Sequence, residues 1–395
     1  MNNNTENNWI IKNGLIYDGN GGAPFEADLK IADGKIVEIA GDIPAGNEST
    51  FDAKGLIVTP GLIDFHVHVY DGMNLHSISP AECGLKTGVT TMLDFGSAGA
   101  MNYGTFHQYV IPAARESIFT LLNISYFGVQ GHPEIPPYIG DLHDTQHFDV
   151  PSAVKCIESY RDEIIGVKVR LTASLADNDV TKERAALKAA LEVRDQTGLP
   201  LMVHHVMSVI PLDELLPQLK AGDVLTHIYH GNGDGGFTGE NGAPGRALLE
   251  AWRRGVKMDM GHGSGAFAWR IAEAACRKHD FWPDSISTDI HIFNLKTPVI
   301  DLLTTMSKFL YLGMPLEKVI QCATSNPAAM MNQQDEFGVL APGRAADISV
   351  LKLIKGEHSL IDSEGAERIA PSRLAPVCVF KNGERFECEC DYDVD

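Results

Sequence analysis

Between residues 59 and 340, short apolar, β-branched runs alternate with helical stretches, and this alternation constrains the fold more than any other feature of the chain. Eight runs have strand character: Gly61–Val69, Val89–Phe95, Phe119–Phe127, Ile164–Leu171, Pro200–Val206, Asp223–Tyr229, Val256–Met260 and Ser285–Ile290. Strands buried on both faces read as nearly continuous apolar runs in this way. Helical stretches separate many of them. Thr181–Thr197 is the clearest, with Thr181 as the expected cap ahead of acidic Glu183. Eight such units in roughly 280 residues suit a (β/α)8 barrel, a closed ring of parallel strands inside a ring of helices. A doubly wound open sheet would give the same alternation, so periodicity alone leaves both topologies standing.

The two ends have a different texture. Trp9–Tyr17, Asp28–Ala32 and Lys35–Ile39 are short strand-like runs separated by Asp18-Gly19-Asn20-Gly21-Gly22 and Asp33-Gly34. Ala346–Leu353 and Val377–Phe380 repeat the pattern, with a hairpin turn expected at Asn382-Gly383. We therefore expect residues 1–58 and 341–395 to pair as one small, discontinuous β-sandwich domain. The α/β barrel domain, residues 59–340, would be inserted between them. A chain of 395 residues is long enough for both.

Charge and cysteine usage narrow the partners. Lys and Arg number 32 against 52 Asp and Glu, a formal charge of −20 that repels nucleic acid and anionic membrane surfaces. No apolar run reaches the length of a bilayer span, and Met1–Asn8 is polar, without the pattern of a signal peptide. The seven cysteines include no CxxC pair and suit buried thiols in a reducing compartment. The expectation is a cytoplasmic homo-oligomer that acts on a small molecule and binds neither nucleic acid nor membrane.

Metal-capable side chains recur at strand ends. In Asp64-Phe65-His66-Val67-His68 the two histidines project from one face, and neutral imidazoles are good ligands for borderline metals. Ile164–Leu171 carries Lys168 inside an apolar strand, where a bare ammonium is costly. Either it reaches an ion-pair partner, or it is held neutral and takes up CO2 as an anionic carbamate. His204 and His205, His227 and His230, and Asp289 and His291 follow on later strands. Barrel active sites form at the C-terminal ends of strands, and five strands bearing such residues in order are hard to explain as packing.

Two other matches carry no function. Gly231-Asn232-Gly233-Asp234-Gly235-Gly236 fits GxGxxG, but no helix opens directly after it as a nucleotide site requires, and we read a mobile loop there. Asp94-Phe95-Gly96 fits a kinase triplet without its companion motifs and reads as a strand end.

The order HxH, Lys, His, His, Asp on strands one, four, five, six and eight resembles the amidohydrolase superfamily. Val58-Thr59-Pro60-Gly61-Leu62-Ile63-Asp64-Phe65-His66-Val67-His68 is similar to its opening signature, and Thr324-Ser325-Asn326-Pro327-Ala328 and Pro342-Gly343-Arg344-Ala345-Ala346-Asp347 to its closing ones. Gly222–His227, Gly261-His262-Gly263 and Ser287–His291 resemble the deacetylase branch related to dihydroorotases. The resemblance implies two divalent metal ions, expected to be zinc. His66, His68 and Asp289 would hold one and His204 and His227 the other, with carboxylated Lys168 bridging both. Of the doubled histidines, His204 matches the motif position. Asp289 would be the catalytic acid–base, and the reaction would be hydrolysis of an amide or ester bond in a small acylated compound bearing a carboxylate. Arg170, on the face of Lys168, could bind that carboxylate or serve a structural ion pair; Tyr70, His262 and His291 are further substrate-binding candidates. The alternatives are cyclic-amide hydrolysis or deamination on the same metals, or a scaffold that has lost catalysis.

Overall fold

The structure, a computed structural model, describes residues 8–131, 140–232 and 243–389. Most of the glycine-rich run expected as a loop, residues 233–242, lies outside the described residues.

The N-terminal strands β1 (Trp9–Ile16), β2 (Phe25–Ala32), β3 (Lys35–Ala40), β4 (Ser49–Asp52) and β5 (Ile57–Pro60) lead into the barrel strands. These are β6 (Leu62–Val67), β7 (Val89–Asp94), β8 (Ser117–Asn123), β9 (Ile164–Leu171), β10 (Leu201–His205), β11 (Val224–Thr226) and β12 (Lys257–Met258). The chain closes with β13 (Ile348–Ile361), β14 (Glu367–Lys381) and β15 (Glu384–Glu387). The two ends of the chain form one mixed eight-stranded sheet, β15-β14-β13-β5-β1-β2-β3, with β4 also paired to β1. Its joint is β5 between β1 and β13, so the strand that enters the barrel is pinned by both termini. Asp33-Gly34 and Asn382-Gly383 turn with positive φ at both residues, as tight hairpins require.

Strands β6 to β12 form an all-parallel sheet in sequence order. The eighth expected strand, Ser285–Ile290, closes the ring without being a regular strand. It bridges Asp259 at one side and Val67 at the other, and the Asp289 N–H donates to the His66 carbonyl at 2.7 Å. Side chains replace part of its ladder: Thr288 donates through both N–H and Oγ1 to the buried Asp64 carboxylate. The expected strand Phe119–Phe127 stops at Asn123, whose Oδ1 accepts from Ser125 N–H and turns the chain. The helix expected from Thr181 is Val180–Thr197, and its cap is Asp179, which accepts from Thr181 N–H. A carboxylate two residues earlier does better than the hydroxyl because it also complements the helix N-terminal dipole.

Ile63, Phe65, Leu93, Phe95, Leu121, Met202 and Val224 are buried and pack as one cluster, consistent with a filled barrel interior. No helix among the described residues is long and apolar enough to cross a membrane.

Candidate active site

Three imidazoles and one carboxylate converge above this core. His66 leaves β6, and His68 follows directly after its last residue. His227 follows β11, and Asp289 lies on the closing segment. His66 Nε2 and His68 Nε2 each lie 3.3 Å from Asp289 Oδ1, and His227 Nε2 lies 3.9 Å from Oδ2. Candidate ligand atoms of His66, His227 and Asp289 all fall within 4.8 Å of one another.

The outward nitrogens explain why the Nε2 atoms face inward. His66 Nδ1 sits 3.3 Å from the Asp259 carboxylate and 3.2 Å from Thr226 Oγ1. His68 Nδ1 lies 2.8 Å from Ser97 Oγ, whose own hydrogen goes to Asp94 Oδ2 at 2.8 Å. Ser97 must therefore accept, and His68 carries its proton on Nδ1. His227 Nδ1 donates to the Gly261 carbonyl at 2.7 Å. A proton fixed on Nδ1 leaves the Nε2 lone pair for a metal. His227 Nε2 is buried and has no hydrogen-bond partner. An orphaned acceptor at that depth is costly unless a cation meets it, so the donor set fits a metal ion.

Electrostatics agree. Burial, opposed by the Asp289 charge, drives His66 well below its usual value and His227 down to about 4, so both are neutral at pH 7. Burial also drives His204 well down, reinforced by His227 and Lys168. For Asp289 burial favours the acid, but the surrounding histidines win and hold the carboxyl well below its usual range. Burial pulls Lys168 from 10.5 to about 7 against the attraction of Asp289. Its Nζ lies 4.2 Å from the Phe95 ring centre, and the same ring stacks on His66 at 3.7 Å. His227 and Asp289 both adopt left-handed backbone, φ +67° and +48°. Such strain costs about 1–3 kcal/mol each and survives only where surrounding contacts impose it.

A cavity of about 150 Å³ opens over this cluster. It brings together eight of the ten residues singled out in the sequence: His66, His68, Lys168, Arg170, His204, His227, Asp289 and His291. His204 lines the wall with its ring 4.4 Å from His227, and its Nε2 meets Thr172 Oγ1 at 3.2 Å. His205 instead faces the Ile210 carbonyl at 2.7 Å. Arg170 is held by both oxygens of buried Asp141, at 2.7 and 2.8 Å, the structural ion pair of the two readings above. Tyr70 and His262 are not brought to the cavity. Tyr70 is stacked on Phe106 and donates to the Asn102 carbonyl. His262 is fully buried against Lys308.

Asp259 escaped the sequence reading, although it lies in the quoted run Val256–Met260 as an acid among apolar residues, the same signal that singled out Lys168. It accepts from Ser285 Oγ, Ser287 Oγ and Thr226 Oγ1 as well as facing His66.

A model of the amidohydrolase family matches residues 57–209 and 263–385, well over half of the sequence. The chain belongs to the amidohydrolase family. It is therefore a hydrolase built on a barrel, and members of this family typically bind metals. A deacetylase from Agrobacterium fabrum is 34% identical to this amidohydrolase over 378 residues, 91% of this chain and 90% of its own. A deacetylase from Enterococcus faecalis is 32% identical over 96% of this chain and 98% of its own. Among solved structures, an adenine deaminase superposes with a TM-score of 0.86 at 31% identity, covering 96% of this chain and 99% of its own. A dihydroorotase does so at 0.84 and 30%, with the same coverage.

Proposed function

We propose that this amidohydrolase is a zinc-dependent deacylase that removes a small acyl group, such as acetyl, from an amide or ester. His66, His68 and Asp289 would hold one ion, His204 and His227 a second, and Lys168, carboxylated on Nζ, would bridge them. Lys168 suits that role because a lysine held near its neutral form can add CO2, exchanging a buried cation for an anion. When bound, the ions would acidify water and polarise the substrate carbonyl. Asp289, kept ionised by its histidines, takes the proton of the attacking water and delivers it to the leaving group. The walls position the substrate, and a cavity of about 150 Å³ limits it to a small molecule. Asp141 and the Gly131 carbonyl engage Nε and Nη2 of Arg170, and the residue still lines the cavity, so a carboxylate-bearing substrate remains compatible with the site. The buried thiols Cys83, Cys156, Cys276, Cys322 and Cys378 support a reducing, cytoplasmic setting.

The observation that carries this reading is the convergence of three Nδ1-capped histidines on Asp289. The two deacetylase relatives, each matched over more than 90% of this chain, favour deacylation over other chemistry at such a site. The structural similarity to an adenine deaminase and a dihydroorotase supports deamination or ring opening as the second reading. Zinc-loaded protein should be assayed against N-acetyl and O-acetyl small acids and alcohols, adenine, and cyclic ureides. Acetate release confirms the first reading. Ammonia release or ring opening without acetate release replaces it.

A further inference from the structure

Lys308 lies on the helix Leu302–Leu312, is fully buried, and takes no part in the site as described so far. Its Nζ has three acceptors: His262 Nε2 at 2.5 Å, the Ile361 carbonyl at 2.7 Å and the Pro298 carbonyl at 2.9 Å. The Gly263 carbonyl can only accept, so His262 Nδ1 donates to it, at 2.9 Å, and the neutral ring is left with Nε2 as an acceptor for Lys308. The ring also stacks on Phe267 at 5.0 Å.

His262 sits between two glycines with separate duties. The Gly261 carbonyl receives His227 Nδ1 and so leaves His227 Nε2 as the inward lone pair. Gly263 lies against Asp289, so close that a β-carbon there would come within 2.5 Å of Oδ2. Its N–H is bonded to the Thr288 carbonyl, next to Asp289. Both glycines have positive φ, +47° and +54°, so the turn has little intrinsic preference for this path and needs an outside hold. Part of that hold is backbone, through Gly261 N–H to Ser287 Oγ, His262 N–H to the Ser287 carbonyl and Gly263 N–H to the Thr288 carbonyl; the His262 side chain supplies the rest, and Lys308 fixes it to the helix and to the end of β13. A lysine serving stability alone would not need its acceptor to be the one side chain between these two contacts.

We propose that Lys308 is a positioning residue of the metal centre: through His262 it fixes the Gly261–Gly263 turn, which sets the tautomer of His227 and walls Asp289. This rests on the reading of the His66, His227 and Asp289 cluster as a metal site. Removing partners of this kind typically costs about 10- to 100-fold in metal affinity or activity. The test uses cobalt(II) alone, titrated into the chelator-stripped full chain and followed by its visible absorption. Wild type, Lys308→Met and His262→Asn are compared, with circular dichroism and thermal melting alongside. Asparagine keeps a donor near the Gly263 carbonyl but loses the nitrogen that Lys308 holds, so it carries the test if Lys308→Met does not fold. Both variants should bind cobalt at least about tenfold more weakly, with an altered band shape and native circular dichroism. A variant that folds and melts lower but binds cobalt with wild-type affinity and spectrum overturns the proposal and leaves Lys308 a stabilising residue only. Wild type that binds no cobalt overturns the metal reading, and this proposal with it.

Discussion

Replacing Lys168 by methionine separates the cost of a buried cation from the use made of it. Lys168 is 1% exposed, and burial, opposed by Asp289, brings its pKa from 10.5 to about 7. In protein stripped of metal and CO2, the native state gives up this proton near pH 7, whereas the unfolded chain keeps it until pH 10.5. The unfolded state binds more protons across that window, so stability rises with pH there and the whole penalty stands below pH 7. A shift of this size corresponds to about 5 kcal/mol at pH 6 and about 2 kcal/mol at pH 9. Methionine keeps the length and carries no charge. Loss of the contact with Phe95 subtracts up to about 2 kcal/mol from the gain. Stripped Lys168→Met should therefore exceed stripped wild type by about 3 kcal/mol at pH 6 and by about 2 kcal/mol at pH 9, where the native lysine is already neutral and has no cation–π contact to lose. Urea unfolding of both proteins at the two pH values, in chelator and CO2-free buffer, measures the difference. A variant no more stable than wild type at pH 6, or an advantage that does not shrink at pH 9, refutes the reasoning, because it means the native site accommodates the ammonium. With zinc and bicarbonate restored the order should reverse, since wild type gains the binding energy of the metals and the variant lacks the bridge.

Asp289→Asn keeps the volume but removes the proton acceptor, so turnover should fall by roughly a hundredfold or more; near-normal turnover in metal-replete variant removes Asp289 from proton transfer. Asp259→Asn should weaken zinc binding by about 10- to 100-fold while leaving the fold intact, because His66 loses the carboxylate that orients it; competition with a colourimetric chelator reads this, and unchanged affinity would show that Thr226 alone suffices. Protein purified without chelator should carry about two equivalents of zinc, and chelation should abolish hydrolysis with recovery on adding zinc back. Full activity of metal-free protein would defeat the functional reading at its base.

The barrel was legible because burial on both faces writes itself into composition: β9 reads as an unbroken apolar strand apart from Lys168 and Arg170, and its observed limits are those expected. The closing segment was harder. Ser285, Ser287 and Thr288 look like polar residues at a strand end, but their hydroxyls serve Asp259 and Asp64 in place of a regular ladder. Phe119–Phe127 was drawn too long because its apolar content continues past the turn at Asn123. Tyr70 and His262 were read as substrate contacts from their places near strand ends, and position along a strand does not say which way the next residue turns. The positive φ of Gly261 and Gly263 sends His262 away from the cavity and toward Lys308, a residue 46 positions later that no local pattern connects to it.

That separation has a physical basis. Metal-binding side chains come from few residue types, histidine, cysteine and carboxylates above all, so a candidate ligand set stands out in a sequence. The group that fixes a ligand's tautomer need only be an acceptor, and here three different ones do the same work: the Asp259 carboxylate for His66, the Ser97 hydroxyl for His68 and the Gly261 carbonyl for His227. Any backbone carbonyl or hydroxyl can fill that role, so only the fold selects which one does. The chemistry of His227 accordingly depends on the path of a glycine turn, held by its bonds to Ser287 and Thr288 and, as proposed above, by the Lys308–His262 contact. The site residues specify which atoms can react, while residues without reactive groups determine whether those atoms carry a lone pair or a proton.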